Sequence, residues 1–320
     1  MQENEKFPFR SSILSIPSRT EPKLRSRDPE LEEAPILERV TQNIFAETKI
    51  RGCNPGYVVT RDGIVIIDTP QLPTHAVRMR REAERQGPIR YLINTEHHID
   101  HIFGNYYFRG AGTVVAHEEV RRQFMVVTPS INPFAYAREA IPTDDPEGAS
   151  LFPDEETYFK DPNRPTITLT GELTLHVGDH TFHLIGTPGH TAGQIAVYIP
   201  EERVAFVGDT IFNNCQTWIY EADPEAWLKS LSRISLLDVD YIVPGHGAVC
   251  TKDYIPVQSA FLREWIAAVA GGIAKGWNEE ECVKRISFLD RFPVDIGQEY
   301  MGPRVQEMNV SALYEYLTKK

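Results

Sequence analysis

Short apolar, β-branched runs alternate along the first part of the chain with turn signals and amphipathic stretches. Residues 56–60 and 63–68 are two such runs, and the Asp-Gly pair between them predicts a β-hairpin. Residues 75–86 predict an arginine-rich helix capped by Thr74, and residues 89–94 predict the next strand. Helix and strand signals keep alternating after this strand. Their order predicts a layered α/β fold rather than an all-β one.

The second half of the chain carries a run of short strand signals followed by helical periodicity. Strands are predicted at residues 166–169, 173–177, 181–185, 194–199, 204–207 and 241–243. Helices are predicted at residues 224–237, 254–275, 278–287 and 310–317. We therefore predict one catalytic domain over residues 36–250, and a helical extension over residues 251–320 that packs on the same domain.

Two segments depart from this pattern. Residues 1–35 are charged, contain proline and show no sustained apolar period, which predicts an extended arm. Residues 127–165 are rich in proline, and long irregular segments inside a compact domain are usually disordered or functional. Their aromatic content favours a lid that faces the substrate, while the alternative is a surface excursion that packs on itself. The aromatic residues in question are Phe134, Tyr136, Phe152, Tyr158 and Phe159.

Composition and charge limit the classes of protein that the chain can represent. Of its 320 residues, 41% are hydrophobic and 24% are charged, as in ordinary soluble domains. The net charge of −12 argues against a sequence-independent nucleic-acid binder, because no basic surface would neutralise phosphates. No secretory signal and no apolar run of about 18 residues are visible, which argues against a membrane protein. Four scattered cysteines without a CxxC pair predict reduced thiols in a cytoplasmic protein.

Several of the predicted strands end on side chains that bind metal ions. Residues 95–101, Thr-Glu-His-His-Ile-Asp-His, follow one strand directly and hold three histidines, one aspartate and one glutamate. Other strands end near Asp68, His190, Asp209 and His246, and the last three of these lie beside glycine. Glycine turns let the backbone approach an ion closely and aim a side chain from a rigid strand end. This repetition favours a metal site over a set of solvated polar loops.

These residues resemble the metallo-β-lactamase superfamily, a group of metal-dependent hydrolases with an αββα sandwich fold. The family motif is H-x-H-x-D-H, followed by a Gly-His, an Asp and a final His. Residues 96–101, His190, Asp209 and His246 match this motif in order and spacing, except at its first position. The resemblance implies that Asp68 orients the ligands from behind. It also implies two metal sites. The first is formed by Glu96, His98 and His190, and the second by Asp100, His101 and His246. Asp209 is implied to bridge the two ions.

Position 96 is the departure from the family motif, which has histidine there. Glu96 could bind as an oxygen ligand and raise the tolerance of the site for Mn²⁺ or Fe²⁺. It could instead leave a single metal at the second site, or His97 could replace it after a local backbone shift. Residues 96 and 98 of an extended segment share a direction while residue 97 points away, which favours Glu96 over His97. The implied cofactor is Zn²⁺, one or two ions per chain, with Mn²⁺ or Fe²⁺ as alternatives.

The resemblance implies an enzyme that uses a metal-bound hydroxide on a small organic substrate. An ester, thioester, lactone, amide or activated halide fits this chemistry, with Asp100 and Asp209 accepting or relaying the proton. Trp218 and Tyr220 are expected to line the substrate pocket, and Asn213 to offer a polar contact there. A glutathione thioester would need basic residues to hold its carboxylates, and none can be assigned from the sequence.

The second candidate function is that of an iron-dependent oxidoreductase on the same fold, similar to persulfide dioxygenases. The carboxylate at Glu96 makes the site harder and gives this alternative some weight. In either case the expected partner is a small molecule rather than nucleic acid or a membrane, and a homodimer is left open.

Overall fold

The computed structural model of the chain describes residues 37–128 and 132–319, so the arm predicted for residues 1–35 lies outside the described residues. Strands β1 to β7 form one sheet in chain order, and strands β8 to β12 form a second sheet in the order β12-β11-β10-β9-β8. The twelve strands within the described ranges are β1 (Glu38–Arg39), β2 (Ile44–Ala46), β3 (Gly56–Thr60), β4 (Gly63–Ile67), β5 (Ile89–Asn94), β6 (Thr113–His117), β7 (Ile167–Leu169), β8 (Glu172–Val177), β9 (His180–Gly186), β10 (Ile195–Ile199), β11 (Val204–Phe206) and β12 (Tyr241–Val243).

Helices cover the outer faces of both sheets. Helix α1 begins at Pro73, so Thr74 lies within its first turn and the predicted Thr74 cap is wrong. The Thr74 N–H instead donates a hydrogen bond of 2.9 Å to the Asp145 carboxylate. No helix in the two described ranges is long and apolar enough to cross a bilayer. The helices within these ranges are α1 (Pro73–Gln86), α2 (Ile99–Ile102), α3 (Glu118–Gln123), α4 (Pro133–Asp144), α5 (Glu155–Lys160), α6 (Pro224–Ser235), α7 (Ile255–Ala274), α8 (Glu279–Arg285) and α9 (Gly302–Thr318).

The alternation of side chains along the strands builds three apolar layers. Val65 and Ile67 of β4 belong to the core between the two sheets, which the second sheet completes with residues such as Phe182. Ile64 and Ile66 point the other way and pack against α1. On the outer face of the second sheet, helices α6 to α9 contribute Trp227, Leu231, Trp265, Cys282, Val310 and Leu313 to one buried cluster. The order of layers is therefore helix, sheet, sheet, helix, and the predicted αββα sandwich is confirmed.

The proline-rich segment at residues 127–165 contains more regular structure than the sequence predicted. Helices α4 and α5 lie within it, and Phe134 and Tyr158 are buried in a cluster with Phe103. The Phe103 and Tyr158 rings stack with centroids 5.0 Å apart. Tyr136 behaves differently, because it is 41% exposed and faces a cavity. Most of these aromatic side chains therefore pack inward, and a role of the segment as a lid stays a prediction, as do the predicted domain boundaries.

Candidate metal centre

The parallel strands bring the predicted site residues to one edge of each sheet. Asp68 follows the carboxyl end of β4, and the cluster at residues 95–101 follows the neighbouring strand β5. In the second sheet, Asp209 and His246 follow the neighbouring strands β11 and β12. The two edges are joined by a backbone hydrogen bond of 2.8 Å from the Ile195 N–H to the Thr95 carbonyl. Residues far apart in the sequence thus meet at one place.

A close approach of backbone segments explains why glycine is required beside two of these residues. At Gly245 an added Cβ would lie 1.9 Å from Oδ1 of Asp209, so no larger residue fits next to His246. Gly208 adopts a φ of +48°, and a Cβ there would lie 2.5 Å from the Gln194 amide nitrogen. Both positions need glycine because the two strand ends converge tightly on the site.

The first group of ligand atoms surrounds one oxygen of Glu96. Glu96 is fully buried, and its Oε1 lies 2.9 Å from Nδ1 of His98 and 3.5 Å from Nε2 of His190. Oδ2 of Asp209 lies 3.2 Å from the same nitrogen of His190. These four side chains can each present one ligand atom within 4.8 Å of the others. His97 takes no part in this group, and its Nε2 lies 3.4 Å from Glu221.

A second group adjoins the first and shares Asp209 with it. Oδ2 of Asp100 lies 3.4 Å from Nε2 of His246 and 3.9 Å from Nε2 of His101. Asp209 reaches toward both imidazoles, with Oδ1 3.1 Å from His101 and Oδ2 3.4 Å from His246. Asp209 therefore lies between the two groups, as expected for a bridging carboxylate. Asp100 and His101 are held on α2, whose His101 carbonyl accepts a hydrogen bond of 3.1 Å from the Asn94 amide.

Each imidazole has a partner on the ring nitrogen that points away from the centre. Nδ1 of His101 lies 3.0 Å from Asp68, Nδ1 of His246 lies 2.7 Å from Asp295, and Nδ1 of His190 lies 2.9 Å from the Trp218 carbonyl. Such partners fix the tautomer, so that Nε2 is free to bind an ion. His98 is reversed: its Nδ1 faces the centre, while its Nε2 bonds with the Glu221 carboxylate and lies 2.5 Å from the Tyr220 hydroxyl. The Asp68 contact is the one that the sequence predicted.

The charges of the centre are mutually dependent. Burial alone would disfavour the charged form of each group, but opposite charges outweigh it here. The surrounding imidazoles hold the pKa of Glu96 and of Asp209 below the ordinary range. In turn, the carboxylates raise the pKa of His98 and His246 well above 6.5, and Cys53 together with the carboxylates does the same for His101.

The donor set fits a divalent metal ion. Nε2 of His101 and Oδ1 of Asp209 are buried at the centre and lie 3.1 Å apart, yet neither has a partner in hydrogen-bonding geometry among the described residues. Buried polar atoms are rarely left in this state unless water or an ion satisfies them. Imidazole nitrogens with carboxylate oxygens form the usual ligand set for zinc and for related transition metals.

Comparison with known proteins decides the family. The sequence model of the metallo-beta-lactamase superfamily matches residues 49–246. The chain belongs to this superfamily. The hydroxyacylglutathione hydrolase of Maricaulis maris (strain MCS10) is 28% identical over 221 residues, which cover 66% of this chain and 69% of that protein. The hydroxyacylglutathione hydrolase of Brucella canis is 26% identical over 228 residues, or 70% of this chain and 71% of that protein.

A solved structure of a metallo-β-lactamase from Pontibacter korlensis superposes with a TM-score of 0.53. It is 16% identical in sequence, and the match covers 71% of this chain and 98% of the other. At this identity the likeness shows the fold alone. The two proteins therefore share the superfamily fold.

A cavity of about 310 Å³ opens beside the candidate metal ligands of this superfamily member. It is lined in part by Trp218 and Tyr220, the two residues that the sequence predicted for the pocket. Asn213 is not among its lining residues, because the side-chain amide turns away and donates a hydrogen bond of 2.7 Å to the Ala248 carbonyl. The expected polar contact of Asn213 with a substrate stays a prediction.

Sequence reasoning did not identify two carboxylates that hold the imidazoles. Glu221 follows the predicted pocket residue Tyr220 directly, so its position beside the site was a usable signal. Asp295 lies 49 residues after His246 and outside the part of the chain that the superfamily model matches. No local pattern marks it. Its contact with His246 is formed only when the C-terminal segment packs against the site in the folded chain.

Proposed function

We propose that the protein is a metal-dependent hydrolase that cleaves a thioester or an ester. The observation that carries the proposal is the pair of buried, unpartnered atoms His101 Nε2 and Asp209 Oδ1 at the centre of the donor set. Zinc is the proposed metal, with one or two ions per chain. The residues proposed to hold it are Glu96, His98 and His190 at one position, Asp100, His101 and His246 at the other, and Asp209 between them.

A bound divalent ion would lower the pKa of water and polarise the carbonyl oxygen of the substrate. Asp100 is the proposed proton acceptor because it lines the cavity and its side chain is 16% exposed. Although burial acts in the opposite direction, the charge of His101 and the hydrogen bond with His246 lower the pKa of Asp100, so it is ionised at neutral pH. Asp209 is more deeply buried and is proposed to relay the proton between the two positions.

A thioester is favoured over the other acyl substrates because both relatives described above are named hydroxyacylglutathione hydrolase. Lactones, amides and activated halides remain further candidates for the same chemistry. A cytoplasmic location and a homodimer stay predictions.

The test is elemental analysis of the purified full-length protein together with an assay of thiol release from simple acetyl thioesters. We expect bound zinc, thiol release above the rate without protein, and loss of that activity when a chelator removes the metal. Bound iron with oxygen uptake and no thiol release would support the oxidoreductase instead, an outcome that the buried carboxylate of Glu96 makes worth measuring.

A further inference from the structure

We propose that the cavity beside the metal ligands takes an uncharged acyl compound with an apolar, ring-sized body and disfavours an anionic conjugate such as a glutathione thioester. The inference rests on the proposed hydrolytic function, because it names the substrate class of the same site. Glutathione carries two carboxylates and one ammonium group at neutral pH. Proteins usually hold such carboxylates with arginine, lysine or helix N-termini.

Apart from the candidate metal ligands and the amides of Gln71 and Gln298, the cavity has a wall of aromatic and apolar side chains. The Trp218 and Tyr220 rings lie at 77° to one another with centroids 6.3 Å apart. The Tyr220 hydroxyl already contacts His98, so the ring presents mostly apolar surface to the cavity. Methionines complete this wall, and their flexible side chains adapt to ligands of different shape. The side chains concerned are Ile99, Tyr136, Trp218, Tyr220, Met301 and Met308.

The positive charge available in this wall is the next question for an anionic ligand. None of the described residues that line the cavity is lysine or arginine. Arg51 lies behind the wall, where it donates hydrogen bonds of 3.0 Å to the Tyr136 hydroxyl and 3.1 Å to the Tyr300 hydroxyl. It also forms an ion pair with Asp144, and its side chain is only 6% exposed. Its charge is therefore neutralised and shielded from a ligand in the cavity.

Helix α9 begins beside Met301, and a helix N-terminus can hold an anion through its free N–H groups. Pro303 is the second residue of this helix and has no N–H, so the first turn offers one donor fewer than usual. This end of the helix is therefore a weaker replacement for a cation than an ordinary helix N-terminus.

A neighbouring cavity of about 270 Å³ continues the apolar surface. It shares Tyr136 and Tyr220 with the first cavity and adds Met125 and Val126. Its described lining residues also include no lysine or arginine, and its one carboxylate is that of Glu221, whose side chain is 36% exposed. A longer substrate would thus meet apolar side chains and a negative charge.

Equilibrium binding to the zinc-supplemented, full-length protein tests the inference with two thioethers that cannot be hydrolysed. Calorimetric titration should show that benzyl methyl sulfide binds at least about tenfold more tightly than S-methylglutathione. Equal or tighter binding of S-methylglutathione would overturn the inference, and so would the absence of binding by the neutral thioether.

A turnover assay with S-benzyl thioacetate and S-acetylglutathione separates this inference from the proposed function. We expect faster thiol release from the neutral thioester. If benzyl methyl sulfide binds tightly but neither thioester is cleaved, the hydrolytic function is wrong while the cavity inference is supported.

Adding a positive charge to the cavity wall provides a test in the opposite direction. Met308→Arg should raise the affinity for S-methylglutathione about fivefold, a gain that corresponds to the free energy contributed by one partly exposed charge pair. Met301→Lys should act in the same direction and serves if the first variant does not fold. Leu236→Arg adds the same charge at a position that is 84% exposed and outside the cavity lining, and should leave the affinity unchanged. An equal gain in this control would overturn the role assigned to the cavity wall.

Discussion

Asp295 provides the most direct test of how the C-terminal segment contributes to the metal centre. Its carboxylate lies 2.7 Å from Nδ1 of His246, and both residues are nearly fully buried, with exposed fractions of 6% and 4%. Replacing Asp295 by asparagine keeps the size of the side chain but removes the charge that holds the imidazole. Loss of such a contact to a ligand typically weakens metal affinity by about 10- to 100-fold, or about 1.4–2.7 kcal/mol.

Metal affinity can be measured by titrating the chelator-treated protein with zinc in the presence of a competing indicator. Asp290→Asn is the matched control, because Asp290 is an exposed aspartate in the same segment. Asp295→Glu, which restores the carboxylate, should recover part of the affinity. If Asp295→Asn lowers the melting temperature of the metal-free protein but binds zinc like the wild type, Asp295 has only a structural role and the reasoning is refuted.

Three further changes test other parts of the site. Glu96→Ala should lower the zinc content by about one ion per chain in elemental analysis, and an unchanged content would show that Glu96 is not a ligand. In chelator-treated protein, the three imidazoles with a raised pKa stabilise the fold fully below about pH 6.5. As the pH rises from 6.5 toward the folded-state pKa of these imidazoles, the free energy of unfolding should fall by about 1.4 kcal/mol per pH unit for each imidazole. A melting temperature that rises between about pH 6.5 and pH 8.5 would contradict this expectation. Arg51→Ala removes the hydrogen bonds to Tyr136 and Tyr300, so it should lower the free energy of unfolding by about 2 kcal/mol in denaturant titration and raise KM. Metal content should stay the same in that variant, and its loss would place Arg51 in the metal centre instead.

The C-terminal helices show where sequence patterns mislead. The sequence predicted a helix at residues 310–317, whereas α9 runs from Gly302 to Thr318. Its first half buries polar side chains, which hides the apolar period. Asn309 accepts a hydrogen bond of 2.7 Å from the Ile219 N–H and donates one of 2.7 Å to the Thr217 carbonyl. These partners come from a distant segment, so the burial of Asn309 has no local signal.

The same limit applies to the proline-rich segment. Its aromatic residues suggested a surface that faces the substrate, but Phe134 and Tyr158 pack against Phe103 instead. Composition identifies aromatic side chains without telling which way a helix turns them. Only Tyr136, among the aromatic residues of α4, was placed where the prediction expected it.

Hydrophobic alternation and the glycine turns at strand ends are local patterns, so the sequence alone predicted most of the strands and the candidate ligands. The order of the layers was implied by the family resemblance. The sequence also located Asp68 behind the centre and Trp218 and Tyr220 beside it. The tertiary structure decided which groups hold the imidazoles from outside and which side chains wall the cavity. Asp295 reaches His246 through the packing of the C-terminal segment, and Arg51 is neutralised by a partner 93 residues away, Asp144. Contacts of this kind depend on how whole elements pack, which no short stretch of sequence encodes.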